Sequence, residues 1–213
     1  MHDTAALTGN AFFRCYGDPI HQERLDMGAA QTSMTVLDVG SLDVNGSLRV
    51  FANPAWYYLG VDQVAGPGVD HVLEDPHKMS FVDAYFDLVV STSCFEHDPM
   101  FWLTFAEMAR LVRPGGFVYV STPANGPYHG HPGDCWRFYA DAPKALADWA
   151  THCGHPLELV EAFLMPPQRD VWIDCVAVFG KPPVPRRARI FDWFTNGAVT
   201  IASLSDRIEE IVL

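Results

Sequence analysis

Residues 86–122 read FDLVVSTSCFEHDPMFWLTFAEMARLVRPGGFVYVST, and the periodicity of this stretch decides the fold. Phe86 to Ser91 (FDLVVS) and Phe117 to Thr122 (FVYVST) are short, β-branched apolar runs, the pattern of strands buried on both faces. Between them, Met100 to Val112 sets Phe101, Leu103, Phe105, Met108 and Leu111/Val112 mostly at helical spacing. Arg113-Pro114-Gly115-Gly116 then supplies a helix stop, with a basic residue in the last turn and a proline and two glycines beyond it. Strand, helix and strand in this order predict a crossover between parallel strands.

The same strand signature recurs upstream in Met34 to Val39 (MTVLDV), Tyr57 to Asp62 (YYLGVD) and His71 to Glu74. Downstream, a helix fits Ala142 to Cys153 and two strands fit Leu157 to Met165 and Val171 to Gly180. The link Pro166 to Asp170 is too short for a crossover, so those two strands should pair antiparallel. The expectation is an α/β, Rossmann-like, mostly parallel seven-stranded sheet with helices on both faces and a C-terminal antiparallel β-hairpin. It occupies 34–180, after an N-terminal helical segment over 1–33 and before a tail over 181–213. The tail opens with a stiff PPVP spacer and continues as a candidate amphipathic helix around Val199 to Val212. Phe191, Trp193, Phe194, Ile201, Leu204, Ile208, Ile211 and Val212 are too many apolar groups to leave in water. They should pack over a cleft or form a homodimer contact.

The chain has 213 residues, about one domain plus an extension at roughly 150 residues per domain. A 49% hydrophobic fraction with 19% charged residues excludes disorder for most of it. A net charge of −12 argues against nucleic acid and anionic membrane as partners. No run approaches the 18 or so apolar residues of a membrane span, and the first residues lack a basic, signal-like region. Five cysteines form no CxxC pair and, being odd in number, cannot all be bridged. A soluble protein of the reducing cytoplasm is expected.

Parallel βα units bind ligands at the carboxyl ends of their strands. There the first loop, Asp38 to Ser47, offers a carboxylate and two glycines but no GxGxxG, since Leu42 stands where a second glycine would be. Asp62 ends the second strand, as a residue type that accepts two ribose hydroxyls, although a helix cap would also use it. VLDVG, LGVD, the run Asp75-Pro76-His77-Lys78-Met79-Ser80-Phe81 before FDLVVS, and EMARLVRPGGFVYVSTP together resemble the class I S-adenosylmethionine-dependent methyltransferases, over about residues 34 to 180.

That resemblance implies S-adenosylmethionine as cofactor. Asp38 and Gly40, with Ser41 beside them, would hold its amino-acid end. Asp62 and Gln63 would take the ribose, and Asp75, Pro76 and His77 the adenine, with Ser91 at the end of the fourth strand lining the site. Two departures stand out. Leu42 and the insertion up to Asn45-Gly46 alter the glycine loop, and Pro76 has no N–H where a backbone donor to adenine is usual, so that either His77 supplies it or adenine is held mainly by Asp75 and apolar contacts. The loop DVGSLDVNGS, paired with PYHGHPGDCWRF, is similar to bacterial methyltransferases of sugar and cell-envelope polysaccharide modification. The narrowest resemblance is to mycobacterial-type sugar O-methyltransferases acting on methylated mannose oligosaccharides.

Two further loops carry the titratable groups: Ser91 to Asp98 after the fourth strand and Pro127 to Asp134 after the fifth. Methyl transfer to a hydroxyl needs that hydroxyl placed and its proton removed, for which a histidine suits; His97 and His131 are the candidate bases. A divalent metal would do the same by lowering the hydroxyl pKa. Glu96-His97 is similar to the second half of the E-x-x-E-H metal motif of ubiquinone-type and small-RNA-terminal O-methyltransferases, with Ser93 in place of the first glutamate. Glu96, His129 and Asp134 are the candidate ligands for Mg²⁺ or a similar ion. Trp136, Arg137 and Phe138 read as sugar-facing groups, with Arg137 alternatively bracing the loop through a carboxylate. The expected activity is O-methylation of a small, saccharide-type acceptor. A catalytically silent adenosyl-cofactor-binding partner protein is the alternative, disfavoured by the density of His, Asp and Glu on these loops. A nicotinamide-dependent oxidoreductase is disfavoured by the missing GxGxxG.

Overall fold

The computed structural model describes residues 3–29, 32–130 and 132–195. Seven strands form one sheet: β1 (Thr35–Val39), β2 (Tyr57–Asp62), β3 (His71–Val72), β4 (Phe86–Thr92), β5 (Val112–Pro123), β6 (Glu158–Met165) and β7 (Asp174–Gly180), in the spatial order β3-β2-β1-β4-β5-β7-β6. The pairs β1–β2, β1–β4, β2–β3 and β4–β5 are parallel, whereas β7 runs antiparallel to both β5 and β6. The expected sheet and terminal hairpin are both present.

Period-two alternation explains why the central strands are apolar throughout. Leu37, Val39, Val89, Val118 and Val120 face one layer, where helices α3 (Phe101–Leu111) and α4 (Ala142–His152) pack through Phe105, Met108, Leu146 and Ala150. Val36, Leu88, Val90, Phe117 and Tyr119 face the other. That second face is covered by the beginning of the chain: α1 (Asp3–Phe12), a π-helical turn (Phe13–Gly17) and α2 (Asp18–Asp26). Between β1 and β2 the described chain makes only a 3₁₀ turn at Leu48–Phe51, so these N-terminal helices fill space that a crossover helix would otherwise take.

Polar bonds fix that docking. Tyr16 stacks on Phe12 at 5.3 Å between ring centroids, and its hydroxyl donates to Glu161 of β6 at 2.5 Å. Thr8 and Tyr119 share a hydroxyl bond at 2.8 Å, and the Thr4 hydroxyl donates to buried Asp174 at the start of β7. Glu161 also accepts the first N–H groups of α5 (Ile190–Thr195), Ile190 at 2.8 Å and Phe191 at 3.1 Å. Ile190 and Phe194 are buried in this same layer, with Phe191 and Trp193 packed against it. The described part of the tail therefore packs on its own sheet. The remaining apolar tail positions, from Ile201 to Val212, lie outside the described residues.

One boundary differs from expectation. The helix stop at Arg113–Gly116 lies inside β5: Phe86 pairs with Val112, but Leu88 pairs with Phe117. This four-residue excursion is anchored by Arg113, whose Nε lies 2.6 Å from the buried Asp87 carboxylate, and by Gly115 (φ +77), whose N–H donates to Lys181 at 2.9 Å. The buried Asp87 carboxylate, which Arg24 also pairs, thus holds the segment beside β4.

Candidate functional site

The carboxyl ends of β1, β2, β4 and β5 lie along one edge of the sheet, and their following loops hold the predicted groups together. After β1, Gly40 takes φ +79 and its N–H donates to Val61 at 2.9 Å; a Cβ there would sit 2.4 Å from the Cys94 sulfur. Ser41 also bonds Val61, and Asp43 N–H donates to Pro67 at 2.8 Å, so the loop leans onto the segment after β2. Gly60 permits this closeness, since a Cβ at that position would approach the Gly68 carbonyl to 2.1 Å. The Ser41 hydroxyl is buried with no hydrogen-bond partner among the described residues. Asp62 accepts Leu42 N–H at 3.2 Å and Val64 N–H at 3.0 Å, one bond per oxygen, which leaves lone pairs for further donors. Gln63 is exposed.

Asp38 is buried, and its Oδ2 accepts the Tyr58 hydroxyl at 2.7 Å. Arg49 lies over the Tyr58 ring, 4.7 Å from its centroid, and pairs with Asp70, which also accepts Gly60 N–H at 2.7 Å. Tyr58 reads in sequence as packing, because nothing local to it shows that strand register will set it beside Asp38. Burial pushes the Asp38 carboxyl up to about 6, against the Tyr58 hydrogen bond and the Arg49 charge. A carboxyl whose folded pKa is raised costs stability as pH rises from its ordinary value near 4 to about 6. Asp38→Asn, which can still accept from Tyr58, should therefore melt higher than the parent at pH 7 by an amount of order 2 kcal/mol. The gain should vanish near pH 4; a pH-independent difference in thermal scans would refute the assignment.

Asp75 is half-exposed and accepts His77 N–H at 2.8 Å. The amide expected to reach an adenine ring in place of Pro76 is thus turned onto Asp75 instead. The His77 imidazole lies 3.0 Å from Asp98, which also accepts Met100 N–H at 2.8 Å and the Thr104 hydroxyl at 2.5 Å and so closes the first turn of α3. Ser91 likewise serves the framework, its hydroxyl donating to the Val39 carbonyl at 2.8 Å.

On the acceptor side, Ser93 turns the chain out of β4 with φ +48, a conformation strained for a side-chain-bearing residue. Glu96 follows, fully buried, and neither of its oxygens meets a hydrogen-bond partner in another described residue. Burial pushes its carboxyl up to about 8, against its own backbone N–H; the charge of Asp174, a residue that sequence reading passed over, pushes the same way. His97 Nε2 is 3.6 Å from Glu96 Oε1, while its Nδ1 bonds the Gly133 carbonyl. A carbonyl can only accept, so Nδ1 carries a proton and, in the neutral ring, Nε2 carries the lone pair. His129 lies edge-on to His97, with 4.9 Å between centroids, and its Nδ1 is 3.2 Å from Asp134. One ligand atom from each of Glu96, His97 and His129 lies within 4.8 Å of the others.

Asp134, expected beside them as a metal ligand, has another task. Both its oxygens are bonded by Arg137, at 2.5 and 2.7 Å, and it accepts His129 N–H at 2.9 Å. The Arg137 bonds hold its carboxyl well below the usual range. Arg137 thus braces the loop, over the Trp172 ring at 5.7 Å, and Phe138 is buried; of the trio expected to face a sugar, only Trp136 is substantially exposed. His131 lies outside the described residues.

Residues 37–120 match the methyltransferase domain family. An uncharacterized methyltransferase of Mycobacterium avium is 32% identical over 62% of this chain and 56% of its own length; one of Mycobacterium marinum is 29% identical over 72% and 60%. The chain therefore spans less than two thirds of these curated relatives. Among solved structures, a Burkholderia thailandensis 1,6-didemethyltoxoflavin-N1-methyltransferase with bound S-adenosylhomocysteine shares the fold at a TM-score of 0.55, with 19% identity over 84% of this chain and 79% of that one. The [4+2]-cyclase SpnF shares it at 0.53, with 14% identity over 79% and 81%.

Proposed function

We propose that this chain is a class I S-adenosylmethionine-dependent methyltransferase that transfers a methyl group to a hydroxyl of a small, saccharide-type acceptor. The observation that carries the reading is the convergence of Glu96, His97 and His129 after β4 and β5, on the same sheet edge as Asp62 and the Gly40 loop.

The residues present fit the cofactor: a buried Ser41 hydroxyl lacks a partner, and Asp62 keeps lone pairs for two ribose hydroxyls. Asp75 is exposed enough to accept an exocyclic amine, while Asp38 acts from behind by fixing Tyr58 and the strand end. When bound, S-adenosylmethionine supplies an electrophilic sulfonium methyl. The protein's own task is then to position an acceptor oxygen and take its proton, and the His97 Nε2 lone pair, oriented through Nδ1, can accept it. A divalent cation beside Glu96 is the other route, lowering the hydroxyl pKa, and the same His97 lone pair would then bind the ion instead of the proton. Exposed Tyr128, Trp136 and Tyr139 around the same loop offer apolar faces to a sugar ring. All five cysteines are free, as the cytoplasmic location we assign requires.

Calorimetry with S-adenosylmethionine, S-adenosylhomocysteine and NAD, followed by a labelled-methyl screen against sugars and oligosaccharides, tests this. Binding of the first two with transfer to a sugar hydroxyl is expected. Binding without transfer to any hydroxylated acceptor would favour the silent cofactor-binding protein, and NAD binding alone would overturn the family's cofactor here. Asp62→Ala should weaken S-adenosylmethionine by about 1–3 kcal/mol, through ribose hydroxyls left unpaired. Unchanged affinity in the folded variant would remove Asp62 from the site.

A further inference from the structure

We infer that Glu96, His97 and His129 form a binding site for a first-row transition ion such as Mn²⁺, Co²⁺ or Zn²⁺, and not for Mg²⁺. The inference deepens the functional reading above by naming the class of ion at that site.

Ligand chemistry is the first ground. Two imidazoles and one carboxylate suit borderline transition ions, whereas Mg²⁺ prefers an all-oxygen octahedron and keeps much of its water. Asp134, the oxygen donor that would tilt the set towards Mg²⁺, has both oxygens engaged by Arg137. Asp98 is likewise spent on His77, Met100 and Thr104.

Burial is the second, independent ground. Glu96 has no exposed surface, yet its two oxygens find no hydrogen-bond partner in another described residue. A buried carboxylate without a partner is costly, and a cation bonded to Oε1 would remove that cost. Oε1 is turned towards His97 Nε2 at 3.6 Å. Bonds of about 2.1 Å around one ion put neighbouring ligand atoms roughly 3.0–3.4 Å apart, so closing the group onto an ion requires movements of about an ångström or less.

The supporting shell is built for the purpose. The His97 Nδ1 is tied off by the Gly133 carbonyl, and the His129 Nδ1 lies 3.2 Å from Asp134, which Arg137 holds in turn. The His97 ring is thereby fixed with Nε2 as the ligand atom, as outer-shell partners do in histidine metal sites, and the His129 ring is held in place beside Asp134 and Arg137. Three protein ligands leave coordination positions open for an acceptor oxygen or water.

The test uses the full chain, dialysed against chelator and titrated with Co²⁺. Expected are one equivalent bound, with a visible d–d absorption, and calorimetric Mn²⁺ or Zn²⁺ binding at least 100-fold tighter than Mg²⁺. Glu96→Gln and His129→Ala should abolish the band, and Asp134→Asn should weaken binding about 10- to 100-fold. Circular dichroism and S-adenosylmethionine affinity serve as folding controls for each variant. Absence of Co²⁺ binding, equal affinity for Mg²⁺, or a band unchanged in folded Glu96→Gln and His129→Ala would overturn the inference. Methyl transfer undiminished by chelator, in a chain without the Co²⁺ band, would defeat this inference and leave the functional reading standing. Ion binding without transfer to any hydroxylated acceptor would do the reverse.

Discussion

His97→Ala is expected to lower methyl-transfer turnover by about 10²- to 10⁴-fold while leaving S-adenosylmethionine affinity unchanged. The Nε2 lone pair is presented at a fixed angle because Nδ1 is committed to Gly133, and it faces the Glu96 carboxylate at 3.6 Å. As proton acceptor or as metal ligand, that lone pair works on the acceptor oxygen. The groups we propose for the cofactor, Ser41 and Asp62, belong to other loops. The loss should therefore appear in single-turnover rate and not in calorimetry. A folded variant that turns over at the parent rate would move the acceptor chemistry away from this cluster.

Glu161→Ala should destabilise the protein by about 3 kcal/mol, a large part of the 5–15 kcal/mol typical of a domain. Its carboxylate accepts the Tyr16 hydroxyl and two backbone N–H groups, at Ile190 and Phe191, in a place with little solvent access. Truncation leaves three donors without acceptors, which costs more than the loss of three exposed bonds. Burial raises the Glu161 carboxyl, so part of its contribution is already offset by the cost of holding a charge there. Thermal scans should show a fall of about 6–12 °C for a chain of this size. A shift within error would mean that the helices at the two ends of the chain dock without this carboxylate.

The sheet was legible because each central strand is buried on both sides, which leaves continuous runs such as Leu88-Val89-Val90 that no amphipathic element would show. The loops we propose for the cofactor stand out in the sequence through carboxylates placed at strand ends. What stayed hidden depends on contacts remote in sequence. Asp38 meets Tyr58 through strand register, and Asp174 meets Thr4 across 170 positions. Asp134 reads as a ligand until Arg137, three residues on, is seen to occupy it. The Arg113–Gly116 segment has every mark of a helix stop and is one, but it also joins a strand, where Arg113 meets Asp87 alongside Arg24.

The bond between Tyr16 and Glu161 spans 145 residues, and that separation has a cost during synthesis. The ribosome makes the N-terminal helices first and their sheet partners on β6 and β7 last. At roughly 5–20 residues per second, the interval is about 7–30 s. Throughout it, Phe12, Phe13 and Tyr16 have no finished surface to cover and remain available to chaperones, proteases and other nascent chains. Closure of the domain is thus a late event, timed by the emergence of the final hairpin.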